Sequence, residues 1–325
     1  MAGYELFYIW DFREKEVKLN QSNQPLVSVV IPCYNHENFV QDSIQSVIDQ
    51  TYQNIELIII DDGSKDGSVE KIKEKVELCE KRFTRFKFIT RENKGVCATL
   101  NEAIQWSKGD YFSPCSSDDL YHNKKIEKQV DFLRKNNVAL CVSKAYVVDD
   151  FNNLLKDQTD LYNQSLDEEI TFDKVFVFKL HLPVTGLYNL KILRDELRGY
   201  DESITAEDYD LYLRLLEFYN VGILDCKLYY YRSPSAIGGE RSRPVMRLDV
   251  SNSHRVTIEK FKHHKLYNEA ILCWNYRRFI YFSSYSKTKK YAVKGGFKSL
   301  SKFDIYYFKA IFRIVFYWKK YYGKL

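Results

Sequence analysis

Residues 109–119, GDYFSPCSSDD, join a short apolar run to two adjacent carboxylates, Asp118 and Asp119. If residues 111–113 form a buried strand, these carboxylates stand at its carboxyl end, where open α/β sheets bind their ligands. Two neighbouring acids repel each other and resist burial, so such a sheet edge usually holds a cation or water. The alternative is that the Ser and Asp residues only cap the Lys-rich helix predicted at residues 124–135. We interpret the segment as the place where a divalent metal and a diphosphate meet.

Around this segment, from Pro25 onward, apolar runs alternate with helical patterns. Such alternation is typical of βαβ units and of a parallel sheet with helices on its faces. The first predicted helix, for example, carries Val40, Ile44 and Val47 on one face. Three of the four predicted strands end in polar residues, so these residues should meet at one edge of the sheet. The predicted strands are residues 26–31, 55–60, 86–89 and 111–113.

The sequence contains no glycine-rich phosphate loop of the GxGxxG or GxxxxGK[ST] type. This counts against a nicotinamide-dependent dehydrogenase and a P-loop NTPase. At the predicted edge, carboxylates can accept hydrogen bonds from a base or a ribose, an aromatic ring can stack on the base, and cations can face phosphate oxygens. The pattern predicts a nucleoside diphosphate bound through a metal. The candidate residues are Tyr34, Asn35, Asp61, Asp62, Arg91, Asn93, Lys94, Asp118 and Asp119.

The composition is that of a soluble globular protein: 325 residues, 45% hydrophobic and 29% charged, with a high aromatic content of 16%. The net charge of +5 is unevenly distributed. Residues 287–325 contain eleven Lys or Arg and one acid, Asp304, so they carry +10 and the preceding residues carry −5. A catalytic body does not need such a segment, whereas an anionic surface would attract it.

Several classes of protein are not expected. The seven cysteines are odd in number and form no CxxC pair, which predicts reduced and mostly buried thiols in a cytoplasmic protein. The first residues contain acids and no basic region before a long apolar one, so they do not predict a signal peptide. No run of about 18 uncharged apolar residues predicts a membrane span. Basic residues do not run throughout the fold, and no groove-binding motif occurs, which argues against nucleic acid.

Three segments in combination resemble the family 2 glycosyltransferases, inverting enzymes of the GT-A fold. The resemblance covers roughly residues 25–235 in order and spacing. It implies an α/β protein with a Rossmann-like, mostly parallel sheet flanked by helices, followed here by a helical C-terminal extension. The segments are VSVVIPCYNHENFVQDSIQSVIDQTYQNIELIIIDDGSKDGS, NKGVCATLNEAI and GDYFSPCSSDD.

The resemblance implies a UDP-sugar donor, with Asp61 and Asp62 at the uracil and ribose. It also implies that the acids ending the DxD motif bind Mg²⁺ or Mn²⁺ on the diphosphate. Here Ser116 replaces the first acid of that motif, so the metal role falls on Asp118 with Asp119 as its partner, and the expected metal affinity is lower. The residues implied to bind the nucleotide sugar are Pro32, Tyr34, Asn35, Asp61, Asp62, Arg91, Asn93, Gly95, Ser117, Asp118 and Arg232.

Glu207 and Asp208 open a predicted helix with an apolar face of Leu211, Leu215 and Phe218. Acids in a first helical turn are favoured by the helix macrodipole, which is the structural alternative. The functional interpretation is that Asp208 is a general base, since removing the proton of a sugar hydroxyl contributes about 10²–10⁴-fold to a rate. The segment GYDESITAEDYDLYLRL also resembles the acceptor-side ED motif of the family. That resemblance implies Asp208 as the base and Glu207 as the residue that orients it or contacts the acceptor.

A predicted strand at residues 221–231 leads into Arg232 and the segment SPSAIGGERSR. Arg232, Arg241 and Arg243 are candidates to close over the diphosphate once the donor binds, which would complete a dry site. An exposed basic loop is an equally good interpretation of this segment.

The last 25 residues predict a helix with two unlike faces. At about 100° per residue, four cations fall within about 40° of one another, and most of the remaining circumference is Phe, Ile, Tyr, Val and Trp. This pattern suits the headgroup boundary of an anionic membrane, bound through residues 287–325. The rival interpretation is a helix packed on the catalytic body or on a second copy of the chain. The four cations are Lys302, Lys309, Arg313 and Lys320.

We therefore expect an N-terminal extension at residues 1–24, a catalytic domain at 25–243 and a membrane-associating extension at 244–325. Within the catalytic domain, residues 25–120 form the nucleotide-sugar half and residues 121–243 the acceptor half.

The resemblance implies a metal-dependent, inverting transfer of a hexose from a UDP-sugar to a glycan acceptor. It further implies a polyprenyl-diphosphate-linked acceptor, assembly of a bacterial surface polysaccharide, and a peripheral position on the inner face of the cell membrane. Two other classes remain open. A sugar nucleotidyltransferase would need a Gly-rich loop where this chain has Pro32-Cys33-Tyr34-Asn35. A glycan- or lipid-binding scaffold would keep the fold and lose turnover.

Overall fold

A computed structural model describes residues 24–233 and 246–318 of the chain. Its central feature is an eight-stranded sheet in the order β3-β2-β1-β4-β7-β6-β8-β5. The strands are β1 Val27–Cys33, β2 Ile55–Asp61, β3 Arg85–Thr90, β4 Tyr111–Pro114, β5 Leu120–Tyr121, β6 Leu140–Val148, β7 Leu187–Asn189 and β8 Val221–Arg232.

The sheet is mixed but mostly parallel. Strand β1 pairs in parallel with both β2 and β4, and β2 pairs in parallel with β3. The short β7 is antiparallel to β4 and β6, while β6 runs parallel to β8. The four strands predicted in the first 113 residues are all present. The continuous apolar runs of β1 and β2 suit strands that are buried on both faces, whereas β3 is a partly exposed edge strand.

Helices cover both faces of the sheet. Most of them show the predicted helical spacing of apolar residues, as in α1, where Val40, Ile44 and Val47 are buried. The helices are α1 Val40–Ile48, α2 Ser68–Lys73, α3 Val76–Arg82, α4 Val96–Trp106, α5 Lys125–Lys135, α6 Lys156–Asn163, α7 Phe172–Phe176, α8 Glu207–Leu216, α9 Leu248–Lys260, α10 Tyr267–Phe282, α11 Lys289–Phe297 and α12 Ile305–Phe316.

Two apolar cores lie on opposite faces of the sheet. One contains side chains of α4 and α8, with Leu100, Leu211 and Leu215 among them. The other contains side chains of α1 and α5, including Ile44 and Ile126. Alternate residues of the strands face each core, so the sheet is covered on both sides and its polar strand ends become the accessible edge.

Helix α6 lies in residues 149–169, a polar, Asn-rich segment whose composition alone favours a loop. The segment nevertheless contains a helix because this helix packs through polar side chains. Asn163 Oδ1 accepts a hydrogen bond from the Ala145 backbone N–H (2.9 Å), and Thr159 Oγ1 accepts one from the Val147 N–H (2.9 Å). The helix thus satisfies backbone groups along β6, and no apolar periodicity marks it in the sequence.

Two aromatic residues near helix ends are exposed, and for Phe218 this differs from the prediction. Phe218 is 72% exposed because α8 ends at Leu216, two residues before the end of the predicted apolar face. Trp106, the last residue of α4, is 41% exposed and lies under the Lys87 ammonium group.

The C-terminal helices α9 to α12 pack around a third, smaller core that includes Phe279, Phe282 and Ala310. The predicted final helix is divided, because Asp304 caps a new helix by accepting a hydrogen bond from the Tyr307 N–H (2.9 Å). Lys302 therefore lies in a preceding 3-10 turn, and Lys320 lies outside the described residues. Within the described residues, none of the helices has both the length and the apolar character needed to cross a membrane. As expected, the seven cysteines are free thiols and six are buried.

Candidate active site

Strand β1 brings the two acidic segments together because it pairs with β2 on one side and β4 on the other. In this register Cys33 is opposite Asp61. Hydrogen bonds continue the pairing beyond the strand ends: the Asp62 N–H donates to the Cys33 carbonyl, and the Cys115 N–H donates to the Val30 carbonyl, both at 2.8 Å. The polar residues that follow β1, β2 and β4 therefore line one edge of the sheet.

Asp61 is fully buried at this edge. Its Oδ2 accepts hydrogen bonds from the Ser64 N–H (3.2 Å) and the Thr90 hydroxyl (3.0 Å). Its Oδ1 is a buried carboxylate oxygen with no hydrogen-bond partner among the described residues. An unsatisfied buried acceptor is costly, so this oxygen is suited to receive a donor from a bound ligand.

Asp62 holds the loop that leads into α4. Its carboxylate accepts hydrogen bonds from the backbone N–H groups of Lys94 (2.8 Å) and Gly95 (2.9 Å), and it forms an ion pair with Arg91. Asn93 also donates to the Asp62 carbonyl (2.8 Å). Gly95 has a φ of 91°, a backbone conformation that favours glycine. The Asp62 carboxylate thus fixes the loop that contains Lys94 and Gly95.

Arg91 is engaged inside the protein. Besides Asp62, its guanidinium donates to Glu102 (2.8 Å) and to the Thr99 hydroxyl (2.9 Å). In this arrangement Arg91 links the ends of β2 and β3 to α4, which is a positioning role.

The turn after β1 forms the rim of the edge. Tyr34 is 46% exposed there, whereas the preceding Pro32 is partly buried. Asn35 has a φ of 55°, and its side chain accepts a hydrogen bond from the Lys65 N–H (2.7 Å). Its own N–H donates to the Ser64 hydroxyl (2.9 Å). An exposed aromatic ring is therefore held close to Asp61.

Asp119 is buried and anchors the acidic loop to β8. Its carboxylate accepts hydrogen bonds from the Arg232 N–H (2.7 Å) and the Tyr229 hydroxyl (3.0 Å). Burial, together with the negative charge of Asp118, raises the pKa of Asp119 well above its ordinary value. The side chain of Asp118 remains about one-fifth exposed, so Asp118 is the more accessible carboxylate of the pair.

His36 stands opposite Asp118. Its Nδ1 lies 2.8 Å from the Ser117 hydroxyl, and its Nε2 lies 3.9 Å from Asp118 Oδ2. We did not select His36 from the sequence, because no metal-binding spacing marks it. Its position between a strand that ends at the site and the following helix is the signal that would have found it.

The donor set fits a divalent ion shared with a substrate. Among the described residues, no group of three or more His, Cys, Asp or Glu side chains could hold a metal ion. Mg²⁺ is usually held by one or two carboxylates together with substrate phosphates and water. Asp118 is suited to that role, whereas both oxygens of Asp119 already accept hydrogen bonds from the protein.

Arg232 links the loop that contains Asp118 and Asp119 to the end of β6. Its side chain is buried, and it donates to the carbonyls of Asp118 (2.7 Å) and Asp149 (2.6 Å) and to the Asn152 side chain (2.6 Å). The guanidinium also lies over the Phe39 ring, 4.7 Å from its centroid. Arg241 and Arg243 lie outside the described residues.

Glu207 and Asp208 are the first two residues of α8, and both are partly exposed. Burial by the surrounding protein, together with the charge of Glu207, raises the pKa of Asp208 to about 8. Burial raises the pKa of Tyr162 well above its usual value, and the charges of Asp119 and Asp208 both add to the shift. The charges of Asp119 and Asp208 therefore both affect the Tyr162 hydroxyl.

Cys97 is a second residue affected by the charge of Asp208, and it lies next to the loop that Asp62 holds. Cys97 lies in the first turn of α4, two residues after Gly95, and burial raises its pKa to about 12. The charges of Glu207 and Asp208 contribute to that shift. The Cys97 thiol also donates to the carbonyl of Ile204 (3.4 Å), three residues before Glu207, so the start of α8 is close to the loop held by Asp62.

Known proteins share this architecture. The family model described as glycosyl transferase family 2 matches residues 28–190, which is half of the chain. The chain belongs to glycosyltransferase family 2. This family member is 34% identical over 199 residues to an uncharacterized glycosyltransferase of Rickettsia bellii, covering 59% of this chain and 27% of that relative. It is 27% identical over 289 residues to the chondroitin synthase of Escherichia coli, covering 87% of this chain and 38% of that relative. The chain thus spans well under half the length of either relative.

Two solved structures share the fold of this family 2 member. Residues 1–349 of S. aureus TarS, in complex with UDP-GlcNAc, match with a TM-score of 0.61 at 15% identity, covering 89% of this chain and 88% of that 1–349 chain. The mannosyltransferase PcManGT from Pyrobaculum calidifontis, in complex with GDP-Man and Mn²⁺, matches with a TM-score of 0.60 at 13% identity. The match covers 92% of this chain and 82% of the PcManGT chain. The GT-A fold predicted from the sequence is confirmed.

Proposed function

We propose that this family 2 member is an inverting glycosyltransferase that moves a hexose from a UDP-sugar to a hydroxyl of a glycan. The observation that carries the proposal is the contrast between three acids of the GT-A fold. Asp61 has a buried carboxylate oxygen without a partner among the described residues, Asp118 is partly exposed, and the pKa of Asp208 is raised. These are the environments needed to bind a nucleoside, to hold an ion on a diphosphate and to accept a proton.

On the donor side, Asp61 Oδ1 accepts a hydrogen bond from the nucleoside, and the exposed ring of Tyr34 stacks on the base. Asp118 holds the divalent ion, with Asp119 and Ser117 fixing its loop. When bound, Mg²⁺ or Mn²⁺ neutralises the charge that develops on the leaving diphosphate. The UDP-GlcNAc complex of TarS and the GDP-Man and Mn²⁺ complex of PcManGT support a nucleotide-sugar donor and a metal.

On the acceptor side, Asp208 removes the proton of the attacking hydroxyl. Its raised pKa suits this step, because a general base works best when its pKa is near the working pH. Glu207 keeps that pKa high through its charge and orients the carboxylate. Attack on the face opposite the departing UDP inverts the anomeric carbon.

We extend the proposal to the parts of the molecule and their location. Residues 25–243 form the catalytic domain, and residues 244–325 hold it on the inner face of the cell membrane. The acceptor is a polyprenyl-diphosphate-linked glycan of a surface polysaccharide. The support is α12, which buries Tyr307 and Ala310 but exposes most of its other apolar side chains beside Lys309 and Arg313. A second copy of the chain is the other possible occupant of that surface.

The test is a UDP-release screen over several UDP-sugars, with Mn²⁺, Mg²⁺ or EDTA, with and without a lipid-diphosphate glycan. Acceptor-stimulated release from one donor is the expected result. Asp208→Asn should lower turnover by about 10²–10⁴-fold and leave UDP binding unchanged. A glycan-binding scaffold would release no UDP from any donor, and its Asn variant would behave like the parent protein.

A further inference from the structure

Arg277 on α10 is a half-buried cation without an acidic partner. Among the described residues its guanidinium forms no hydrogen bond or ion pair, and its Nε is buried. It lies over the rings of Phe178 and Tyr281, 4.8 and 5.3 Å from their centroids. By contrast, Arg91 and Arg214 are each paired with a buried carboxylate. Because a partly desolvated cation lacks the water that would stabilise it, this position is suited to an external anion.

The imidazole of His254 packs against the same aromatic rings, and that of His181 interacts electrostatically with it. The ring of His254 lies 5.3 Å from Phe178 and 4.9 Å from Tyr209, and its Nδ1 is buried with no partner among the described residues. Burial, and then the charge of Arg277, lowers the pKa of His254 to about 3 and that of His181 to about 4. Both imidazoles are therefore neutral. Leaving the buried Nδ1 unprotonated avoids an unsatisfied donor, so we assign the N–H of His254 to Nε2.

This cluster adjoins the proposed base. Tyr209 directly follows Asp208 in α8 and provides one ring of the cluster. One turn later, the Tyr212 hydroxyl donates to the Pro183 carbonyl (2.9 Å), two residues after His181. The cluster of Arg277, His254 and His181 therefore lies beside α8, the helix in which Asp208 is the second residue.

The backbone of Phe178 supports a special role for this cluster. Its φ is 58°, a conformation that a bulky aromatic residue rarely adopts and that persists only where the surroundings impose it. In this conformation the Phe178 ring stacks on Tyr209, with centroids 4.8 Å apart, and also carries the Arg277 guanidinium. The strained residue thus connects the helix of the base to the unpaired cation.

We propose that Arg277, His254 and His181 bind a phosphate group of the acceptor while Asp208 deprotonates its sugar hydroxyl. The donors come from three separate elements, and a tetrahedral phosphate offers acceptor oxygens in several directions, whereas a carboxylate offers two in one plane. A guanidinium is also well matched to phosphate. The inference rests on the proposed function, because it names the chemistry of the acceptor in the same reaction. The phosphate is either a phosphodiester within the glycan or the diphosphate of a lipid carrier.

The first experiment measures anion binding without turnover. In the full chain, NMR signals of the six histidine rings are followed during titration with inorganic phosphate at constant pH and ionic strength. The signals of His254 and His181 are expected to shift saturably in the parent protein. Arg277→Gln should weaken this binding at least about tenfold, and Arg277→Lys less, since Lys keeps the charge without the planar fork.

Arg278 provides a matched control on the same helix. It also lies over aromatic rings, and its Nε also has no partner among the described residues, but its rings are those of Trp274 and Tyr291 and not that of Phe178. Arg278→Gln should leave the phosphate titration unchanged. Equal binding by Arg277→Gln and the parent would overturn the proposal, as would shifts spread over all histidines, including the exposed His263.

Kinetics separates this inference from the proposed function. If Arg277→Gln keeps acceptor-independent UDP-sugar hydrolysis but raises KM only for phosphate-bearing acceptors, both stand. If no variant or parent hydrolyses any UDP-sugar while phosphate still binds at Arg277, the proposed function fails and the phosphate site stands. Repeating the titration with dimethyl phosphate and methyl diphosphate identifies the source, because the tighter ligand indicates a phosphodiester or a carrier diphosphate respectively.

Discussion

Asp118 and Asp119 are adjacent in the chain, yet the fold gives them opposite environments. Asp119 is buried and accepts hydrogen bonds from β8, and its pKa is raised by burial and by the charge of its neighbour. Asp118 stays partly exposed beside His36. One acid therefore stabilises the loop, and the other stays partly exposed at the edge of the sheet.

The raised pKa of Asp208 predicts a specific pH dependence. Because a base must be ionised to accept a proton, kcat/KM should rise with pH and level off near pH 8, falling about tenfold per pH unit below that. Glu207→Gln removes the neighbouring charge, so the pKa of Asp208 should drop and the profile should move to lower pH. Initial rates from pH 5 to 9 with saturating metal provide the measurement.

The same shift has a consequence for stability, which serves as the control. A carboxyl group whose pKa is higher in the folded state than in the unfolded state destabilises the fold as it ionises, so stability is lost as pH rises from about 4 to about 8. Asp208→Asn should therefore unfold at a higher temperature than the parent at pH 8 but not at pH 4. A pH–rate profile that is flat from 5 to 9 would exclude Asp208 as the base.

His36 is predicted to position Asp118 for the metal. His36→Ala should weaken Mn²⁺ binding in the presence of UDP by about 10–100-fold, as is typical when a group supporting a metal ligand is lost. Electron paramagnetic resonance of free Mn²⁺ measures this without turnover. Ser117→Ala, which removes the 2.8 Å contact to Nδ1, should cause a smaller loss. The exposed His263→Ala is the control, and an equal effect of both His substitutions would argue against this role.

At the scale of elements, the sequence was sufficient where burial determines the pattern. Strands β1, β2 and β4 could be predicted because they are continuous apolar runs, and their polar ends identified the edge with Asp61 and Asp118. Helix α6 could not be predicted, because its contacts to β6 use the amide of Asn163 and the hydroxyl of Thr159. Contacts between polar groups leave no periodic signal in a sequence.

His36 and Arg277 were missed for a related reason. Each depends on a neighbour that is distant in the chain, 81 residues away for Ser117 and about 100 for Phe178. A spacing rule detects ligands on one element, whereas these residues meet only through the tertiary fold. The family resemblance supplied Asp208, since its acids alone also fit a helix N-terminus.

Helix α12 is predicted to bind anionic membranes through its exposed aromatic side chains. Phe308 and Phe312 are each more than half exposed and line a groove of about 380 Å³ with Lys309, Arg313 and Tyr317. Because burying one Phe contributes about 1.5–3 kcal/mol, replacing both by Ser should lower binding to phosphatidylserine-containing vesicles by well over tenfold. Vesicle co-sedimentation measures the effect, and added salt should weaken binding by the parent protein.

Phe218→Ser is the matched control, because this ring is also exposed but lies at the end of α8. It should leave vesicle binding unchanged. If the double Ser variant instead becomes monomeric from a parent dimer and still binds vesicles, the surface is an interface between copies of the chain.

At the scale of the whole molecule, the site is assembled from segments spread over nearly 200 residues. The family model ends at residue 190, before Asp208 on α8, whereas the matches to TarS and PcManGT extend over about nine-tenths of this chain. The proposed base and the C-terminal helices thus lie beyond the residues that the family model matches. This is the part in which we expect acceptor choice to be determined.

The full chain should be stabilised by UDP only when a divalent ion is present. Arg91 and Arg232 are both held by protein acceptors, so we expect the charge of the diphosphate to be met by an ion on Asp118. A ligand at a hundred times its Kd adds about 2.7 kcal/mol to the free energy of unfolding, which corresponds to several degrees in Tm. Thermal unfolding with UDP and Mn²⁺ should show this rise, and EDTA should abolish it. Asp118→Asn should lose the rise and Asp208→Asn should keep it, because only the first removes the group that meets the diphosphate. A UDP-induced rise that persists in EDTA would instead mean that protein cations alone bind the nucleotide.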